Sequence, residues 1–473
     1  MTDSKPLTVV GNEEVQPKER VGETRTRESF RAAGKALRTA VPRTSHAGWK
    51  PHAGRLDPVD VLIESSKGRL ENLVPVRYGR MMETPFTFYR GAAAIMAADL
   101  ARTPATGVRV QACGDCHLLN FGGFATPERR IVFDINDFDE TLPAPWEWDV
   151  KRLAASFVIA GRNNKFKKSD CRAAAARVVR AYRKRTAELA AMPALQAWYA
   201  SMDYEALIEM SEDPALRKKQ KDAMEKAIIK SSQEALYPKL VEVAGGTPRI
   251  KDNPPLIFHA EEQKSPAWRA GVAERVARYR ASLPEERRVL LDRYHHVDAA
   301  VKVVGVGSVG TLCLVALFMA TDDDPLILQI KEARTSVLEP YAGKSEYKDR
   351  GQRVVVGQHI MQAASDVFLG WGTDQQGRHF YLRQLRDAKI SPEVEMLDAS
   401  QLIEYAKFCG WTLAAAHARS GQAGVLAGYM GKSDALDEAI ADFAEAYADQ
   451  NEQDHAALLK AVRTGRLKAI KGK

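Results

Sequence analysis

Gly114-Asp115-Cys116-His117-Leu118-Leu119-Asn120 places an asparagine five positions after an aspartate. At that separation the aspartate can orient or deprotonate an attacking hydroxyl while the asparagine oxygen holds a metal ion. A short hairpin is predicted next, over residues 121–124 and 130–135, with a turn at Ala125-Thr126-Pro127-Glu128. It leads into Asp134-Ile135-Asn136-Asp137-Phe138-Asp139. Mg²⁺ is a hard ion that takes carboxylate and carbonyl oxygens beside those of phosphate, so a second aspartate here would complete a magnesium site. Asp137, next to Phe138, is the expected ligand together with Asn120, and Asp134 is its rival. His117 joins Asp115 and Asn120 as a catalytic candidate, either as a metal ligand or as a loop histidine bonded to backbone. Each aspartate alone could equally be a turn residue or a helix cap. The combination is what points to chemistry.

A second group lies far downstream. Val304-Gly305-Val306-Gly307-Ser308-Val309-Gly310-Thr311 carries a GxGxxG spacing, which in a dinucleotide site must open a helix. Here the sequel, residues 311–318, is apolar and strand-like. The glycines therefore belong to a strand–turn–strand loop whose backbone can lie over phosphates, with a lysine on the next strand pairing the α- and β-phosphates. Lys331 is that lysine, and Gly305, Gly307, Ser308 and Gly310 are the cradle. Its carboxylate partner is expected on the following segment, where Glu339 and Glu346 compete and Gln358 faces inward. The strand around residues 380–385 is the expected hinge, with Gln384 offering backbone groups to an adenine. ATP and Mg²⁺ are the ligands this set implies.

Other signals are weaker. Cys113 and Cys116 form a CxxC, but the βαβ context of a redox motif is missing and two cysteines are too few for structural zinc. His295-His296 reads as the boundary before a strand. Beside Trp146 and Trp148, Asp149 begins a helix and either caps it or braces the Asp115 loop. Asp115-x-His117 with the later carboxylates would also suit a metal-dependent phosphoesterase, although the downstream histidines at 259, 295, 296, 359, 379, 417 and 455 form no evident ligand group.

Pattern and composition indicate the framework around these residues. The chain has 473 residues, 45% hydrophobic and 27% charged, ordinary for a globular protein. A formal charge of +8 and five cysteines accompany no leader-like or membrane-spanning segment, so a cytoplasmic protein with neither nucleic-acid nor membrane partners is expected. Residues 1–45 read as a basic tail with one frayed helix near 28–37. Helices are expected just after Asp57, over 84–101, over 169–191, over 269–281, over 347–364 and from 399 to 467. Residues 237–266 read as a loop, and strands as occupying 301–320, 326–332 and 379–385. The domains are then a helix-rich lobe (46–300), a small antiparallel sheet lobe (301–395) and C-terminal helices (396–473) packing on the helical lobe: class α+β.

Leu73–Met81, Phe86–Gly91, Gly114–Gly122, Asn136–Thr141, Gly305–Thr311 and Gln384–Asp387 resemble an uncharacterised bacterial family, domain of unknown function 2252, from about Arg43 to Ala456. That resemblance implies no activity. More distantly, residues 114–120 resemble the catalytic loop of aminoglycoside and choline phosphotransferases, His-Gly-Asp-x-His-x-x-Asn, with Cys113 in place of the first histidine. This implies a protein-kinase-like two-lobed fold in circularly permuted order, because the glycine loop and lysine follow Asp115 instead of preceding it. The implied function is an ATP/Mg²⁺-dependent phosphotransferase with Asp115 as base and an unidentified hydroxyl acceptor. Nucleotidyl transfer, or ATP binding without catalysis, would use the same fold. Both motifs must then surround one triphosphate, which puts the Lys331 ammonium within roughly 12 Å of the Asp137 carboxylate.

Overall fold

Strand-forming residues in the second half of the chain gather into one six-stranded antiparallel sheet. In spatial order its strands are Gly370–Thr373, His379–Gln384, Pro325–Glu332, Cys313–Met319, His295–Lys302 and Ile257–Phe258. The register sets Cys313 opposite Lys331 and Lys331 opposite Tyr381, so these three side chains share one face. The other face, with Ala316, Phe318, Leu328, Phe380 and Leu382, packs under the helix Pro266–Ser282 through Tyr279 and Leu283. The computed structural model describes residues 26–470 apart from 212, 231–232, 304, 306 and 386–387.

The helical part is built on Trp146–Asn163, packed among Lys168–Leu189, Ala399–Ser420 and Ala435–Arg463. Residues 146–161 of that first helix are all buried, including Glu147, Asp149, Lys151 and Arg152. A charge taken out of water is tolerated only when it is paired or hydrogen-bonded, so these four mark where the helix touches polar structure. The fold class is α+β.

Several boundaries move. Arg27–Ala40, expected as a frayed helix in a tail, is a helix capped by Thr26 and docked on Ala423–Met430; residues 1–25 lie outside the described ones. The helix expected over 84–101 is two, Pro85–Gly91 and Ala93–Leu100, joined at Ala92. The loop expected over 237–266 contains a hairpin, Val241–Ala244 with Thr247–Ile250. His295 and His296 lie inside the strand His295–Lys302, so that strand begins earlier than residue 301. A short separate hairpin, Phe121–Ala125 with Ile131–Ile135, stands where the sequence puts it.

Candidate functional site

The Asp115 loop is shaped from beneath. Cys113 and Gly114 donate their amides to the two Asp149 oxygens, at 2.6 and 3.0 Å. Asp149 also meets His417 Nε2 at 3.2 Å, and His417 Nδ1 meets the Tyr182 hydroxyl at 2.9 Å. Gly114 has φ +82°, and a Cβ there would lie 2.5 Å from the Glu140 carbonyl, so no other residue fits. Asn120 Nδ2 donates to the Asp115 carbonyl at 2.7 Å and closes the loop. Asn136 N bonds the Asn120 carbonyl at 2.8 Å, so the hairpin returns the chain beside its start and sets Asp137 near Asn120. Thus Asp149 braces the loop, and the Cys113 thiol donates to the Asp137 carbonyl at 3.3 Å.

Asp115 itself is held by Arg152. The guanidinium Nε reaches Asp115 Oδ1 at 2.9 Å, and Nη2 reaches the same oxygen. Oδ2 therefore faces away from the arginine and makes no hydrogen bond with a described residue. His117 is 4% exposed; burial, with Arg90 and Arg152 nearby, pushes its imidazole down to about 3, so it is neutral at physiological pH. Its Nδ1 is buried without a partner.

The downstream motif meets this loop directly. Lys331 Nζ lies 2.7 Å from Asp139 Oδ2 and 3.9 Å from Asp137 Oδ2, across 192 residues of chain in the first case. Ser308 Oγ of the glycine loop donates to Asp139 Oδ2 at 3.2 Å, and the Tyr381 hydroxyl to Oδ1 at 2.6 Å. Burial would depress the Lys331 ammonium, but the two carboxylates outweigh it and hold it well above the ordinary lysine value. Burial likewise works to raise both carboxyls. Asp139, bonded to Lys331 and Tyr381, ends below the usual value, whereas Asp137, beside the Asp139 charge, ends above it.

The glycine loop joins the strands His295–Lys302 and Cys313–Met319 and opens no helix. It is gripped by two arginines from the N-terminal part of the chain, Arg69 in the turn after the helix Pro58–Ser66 and Arg80 on the helix Val74–Met81. Arg69 donates to the carbonyls of Gly307 and Val309 at 2.9 and 2.6 Å, and Arg80 to that of Gly305 at 2.5 Å. Arg77 bonds Ser66 and Gly91, and Arg334 bonds the carbonyls of Ser65 and Lys67. Among the described residues none of these four pairs with a carboxylate. Burial and then mutual repulsion push Arg69 down to about 9, and burial with Arg334 nearby pushes Arg77 to about 10. A concentration of positive charge bonded only to neutral groups is a standing attraction for an anion.

Other candidates lie elsewhere or act differently. Asp134 gives both carboxylate oxygens to backbone amides, those of Ile135 and Ala363, and makes no contact with Lys331. Gln384 has its amide and side chain bound by Asp366, which leaves that N–H unavailable to an adenine; Arg386 and Asp387 are outside the described residues. Lys331 takes its carboxylates from the hairpin exit: Glu346 is exposed, Glu339 bonds Ser336 N, and Gln358 bonds Gln362. The helix Arg350–Met361 contributes Arg353 instead, which donates to the carbonyls of Asp139, Thr141 and Arg334 and ties the sheet to the hairpin exit. Cys113 and Cys116 are free, buried and held above the usual thiol value, Cys116 chiefly by burial. Asp139, Tyr381, Arg152 and Arg69 were not singled out from sequence. For Asp139 the signal was its two-residue spacing from Asp137; for Arg152 it was its place three residues after Asp149, on the same face of the helix.

The sequence matches a protein family over residues 69–461. The chain belongs to that family, described as uncharacterized protein conserved in bacteria (DUF2252). The DUF2252 match spans both motifs, from the arginine-bearing N-terminal helices through the Asp115 loop to the sheet and C-terminal helices. No curated protein and no solved structure gives a significant match. Among the described residues no helix is long and apolar enough to cross a membrane.

Proposed function

We propose that this DUF2252 protein binds ATP with Mg²⁺ and transfers the terminal phosphoryl group to a hydroxyl acceptor. The observation that carries the reading is the Lys331 ammonium, buried between Asp139 and Asp137 and beside Ser308 of the glycine loop. Glycine loop, lysine strand, helix and two further strands follow one another here in the order of a kinase small lobe. The Asp115 loop and the hairpin that supply the other half of a kinase site precede them, which is the permuted arrangement.

The residues fit the ligands. Asp137 and Asp139 present carboxylates that are 36% and 26% exposed, and Asn120 stands at the start of the same hairpin. Mg²⁺ takes most of its ligands from phosphate and water, so one or two carboxylates and an amide suffice. When bound it would neutralise charge on the phosphates. Lys331, now shared by two aspartates, would turn to the α- and β-phosphates, and the arginine-held glycine loop would cover them. Asp115 has Oδ1 fixed by Arg152 and Oδ2 open, so it can orient an acceptor hydroxyl and accept its proton. A metal-dependent phosphoesterase needs a denser set of ligands, and among the described residues no group of three or more His, Cys, Asp or Glu could hold a metal.

Thermal-shift titration with millimolar ATP and Mg²⁺ tests the binding. Wild type should be stabilised, and Lys331→Ala should lose most of that gain. With γ-labelled ATP and a library of hydroxyl acceptors, Asp115→Asn should abolish transfer while keeping nucleotide affinity. In a parallel assay with α-labelled ATP, transfer of that label without transfer of the γ-label would turn the reading to nucleotidyl transfer, and binding without either transfer to a regulator. No stabilisation of wild type would end it.

A further inference from the structure

Arg90 differs from the other arginines around the glycine loop. Its Nε is buried without a partner, and its guanidinium forms no hydrogen bond or ion pair with a described residue. Burying a charged group with its donors unmet is costly. Burial depresses it and only the more distant charges of Asp115, Glu395 and Glu83 act against that.

Its position is specific. Arg90 lies in the last turn of the helix Pro85–Gly91, and its carbonyl lies 3.3 Å from where a Cβ on Gly307 would stand, so its backbone sits against the glycine loop. Arg152 bonds the carbonyl of the preceding residue, Tyr89, at 3.1 Å while holding Asp115. The backbone at 89–90 is thus fixed between the glycine loop and the candidate base. The partnerless Nδ1 of the buried, neutral His117 lies within range of the same guanidinium's charge. A terminal phosphate under transfer must lie between a covering loop and the base, because the attacking oxygen approaches it in line from the base's side.

We infer that Arg90 binds the terminal, transferable phosphate of the nucleotide, with His117 as a second hydrogen-bonding group, and that it makes the site selective for a nucleoside triphosphate over a diphosphate. The inference rests on the ATP-binding reading and deepens it. Lys331 serves the inner phosphates, which ATP and ADP share; Arg90 serves the one that ADP lacks. A guanidinium is suited to the task, since its planar fork can hold two phosphate oxygens at once.

Calorimetry with ATP and with ADP, each with Mg²⁺, on the full chain tests this. Wild type should bind ATP at least tenfold more tightly than ADP. Arg90→Ala should bring ATP down to the ADP level and leave ADP within twofold, and Arg90→Lys should restore part of the difference. Because the guanidinium bonds no described residue, Arg90→Ala should keep the wild-type melting temperature without nucleotide; if it does not, the ATP/ADP ratio of the folded Arg90→Lys protein decides. Equal loss of both nucleotides, or no change in the ratio, overturns the role of Arg90 while leaving nucleotide binding standing. Wild type that binds neither nucleotide overturns both.

Discussion

Asp139 receives the Lys331 ammonium, the Ser308 hydroxyl and the Tyr381 hydroxyl, and its backbone carbonyl receives Arg353. Glu140 beside it behaves differently. Its Oε2 accepts the Val337 amide at 2.7 Å, yet burial outweighs Arg353 and that hydrogen bond and lifts the carboxyl to about 7. A raised carboxyl pKa means that the folded state holds a proton which the unfolded chain has already released above its own value, near 4.3. That contribution to stability is therefore complete below about pH 4.3 and disappears as pH rises through about 7. Glu140→Gln, which keeps an oxygen for Val337, should remove this slope. Relative to wild type it should gain on the order of 1 kcal/mol between pH 5 and pH 8, after allowance for partial exposure of the carboxyl. Urea denaturation at the two pH values measures it, and a variant whose difference from wild type is the same at both would contradict the assignment.

At the scale of elements, the helix Trp146–Asn163 is the platform that holds the Asp115 loop and the Asp115 carboxylate. Asp149 holds the loop amides and Arg152 holds the carboxylate, three residues apart and so on one face of the helix. Asp149→Asn can accept only one of the two amides, and its own NH₂ faces the other. One buried donor is then left unmet, at about 1–3 kcal/mol. Such a variant should melt several degrees lower and transfer phosphoryl groups poorly, while the nucleotide shift carried by Lys331 survives. Unchanged melting would mean that the amides find another acceptor. The same helix explains what sequence could and could not reveal. Asp115 and Asn120 were legible because their spacing is local, and the glycine loop because residues 311–318 after it are strand-like. The carboxylate partner of Lys331 was not, since it comes from 192 residues upstream and no periodicity connects the two segments. Nor was the blocked Gln384 amide, whose partner Asp366 arrives from the loop before the preceding strand.

At the scale of the molecule, the site lies where three parts of the chain meet: the N-terminal helices with their arginines, the hairpin exit at 136–141, and the sheet. Arg69 and Arg80 fasten the glycine loop to the first part, and Arg353 fastens the sheet to the second. On the proposed reading, one nucleotide would have to touch all three. Ligand that bridges separate segments slows the opening of each, because every local opening must then break its contacts. Hydrogen exchange should show ATP with Mg²⁺ protecting residues 113–120 and 305–312 together, by similar factors and over the same range of nucleotide concentration. Arg80→Ala, which frees the Gly305 carbonyl from its clamp, should speed exchange at 305–312 in the unliganded protein and leave 113–120 as it was. Adding nucleotide should then recover much of the lost protection, since the phosphates would take over part of the arginine's work in holding the loop down. Protection confined to one of the two segments would mean that the motifs serve different ligands, and the single-site arrangement would have to be abandoned.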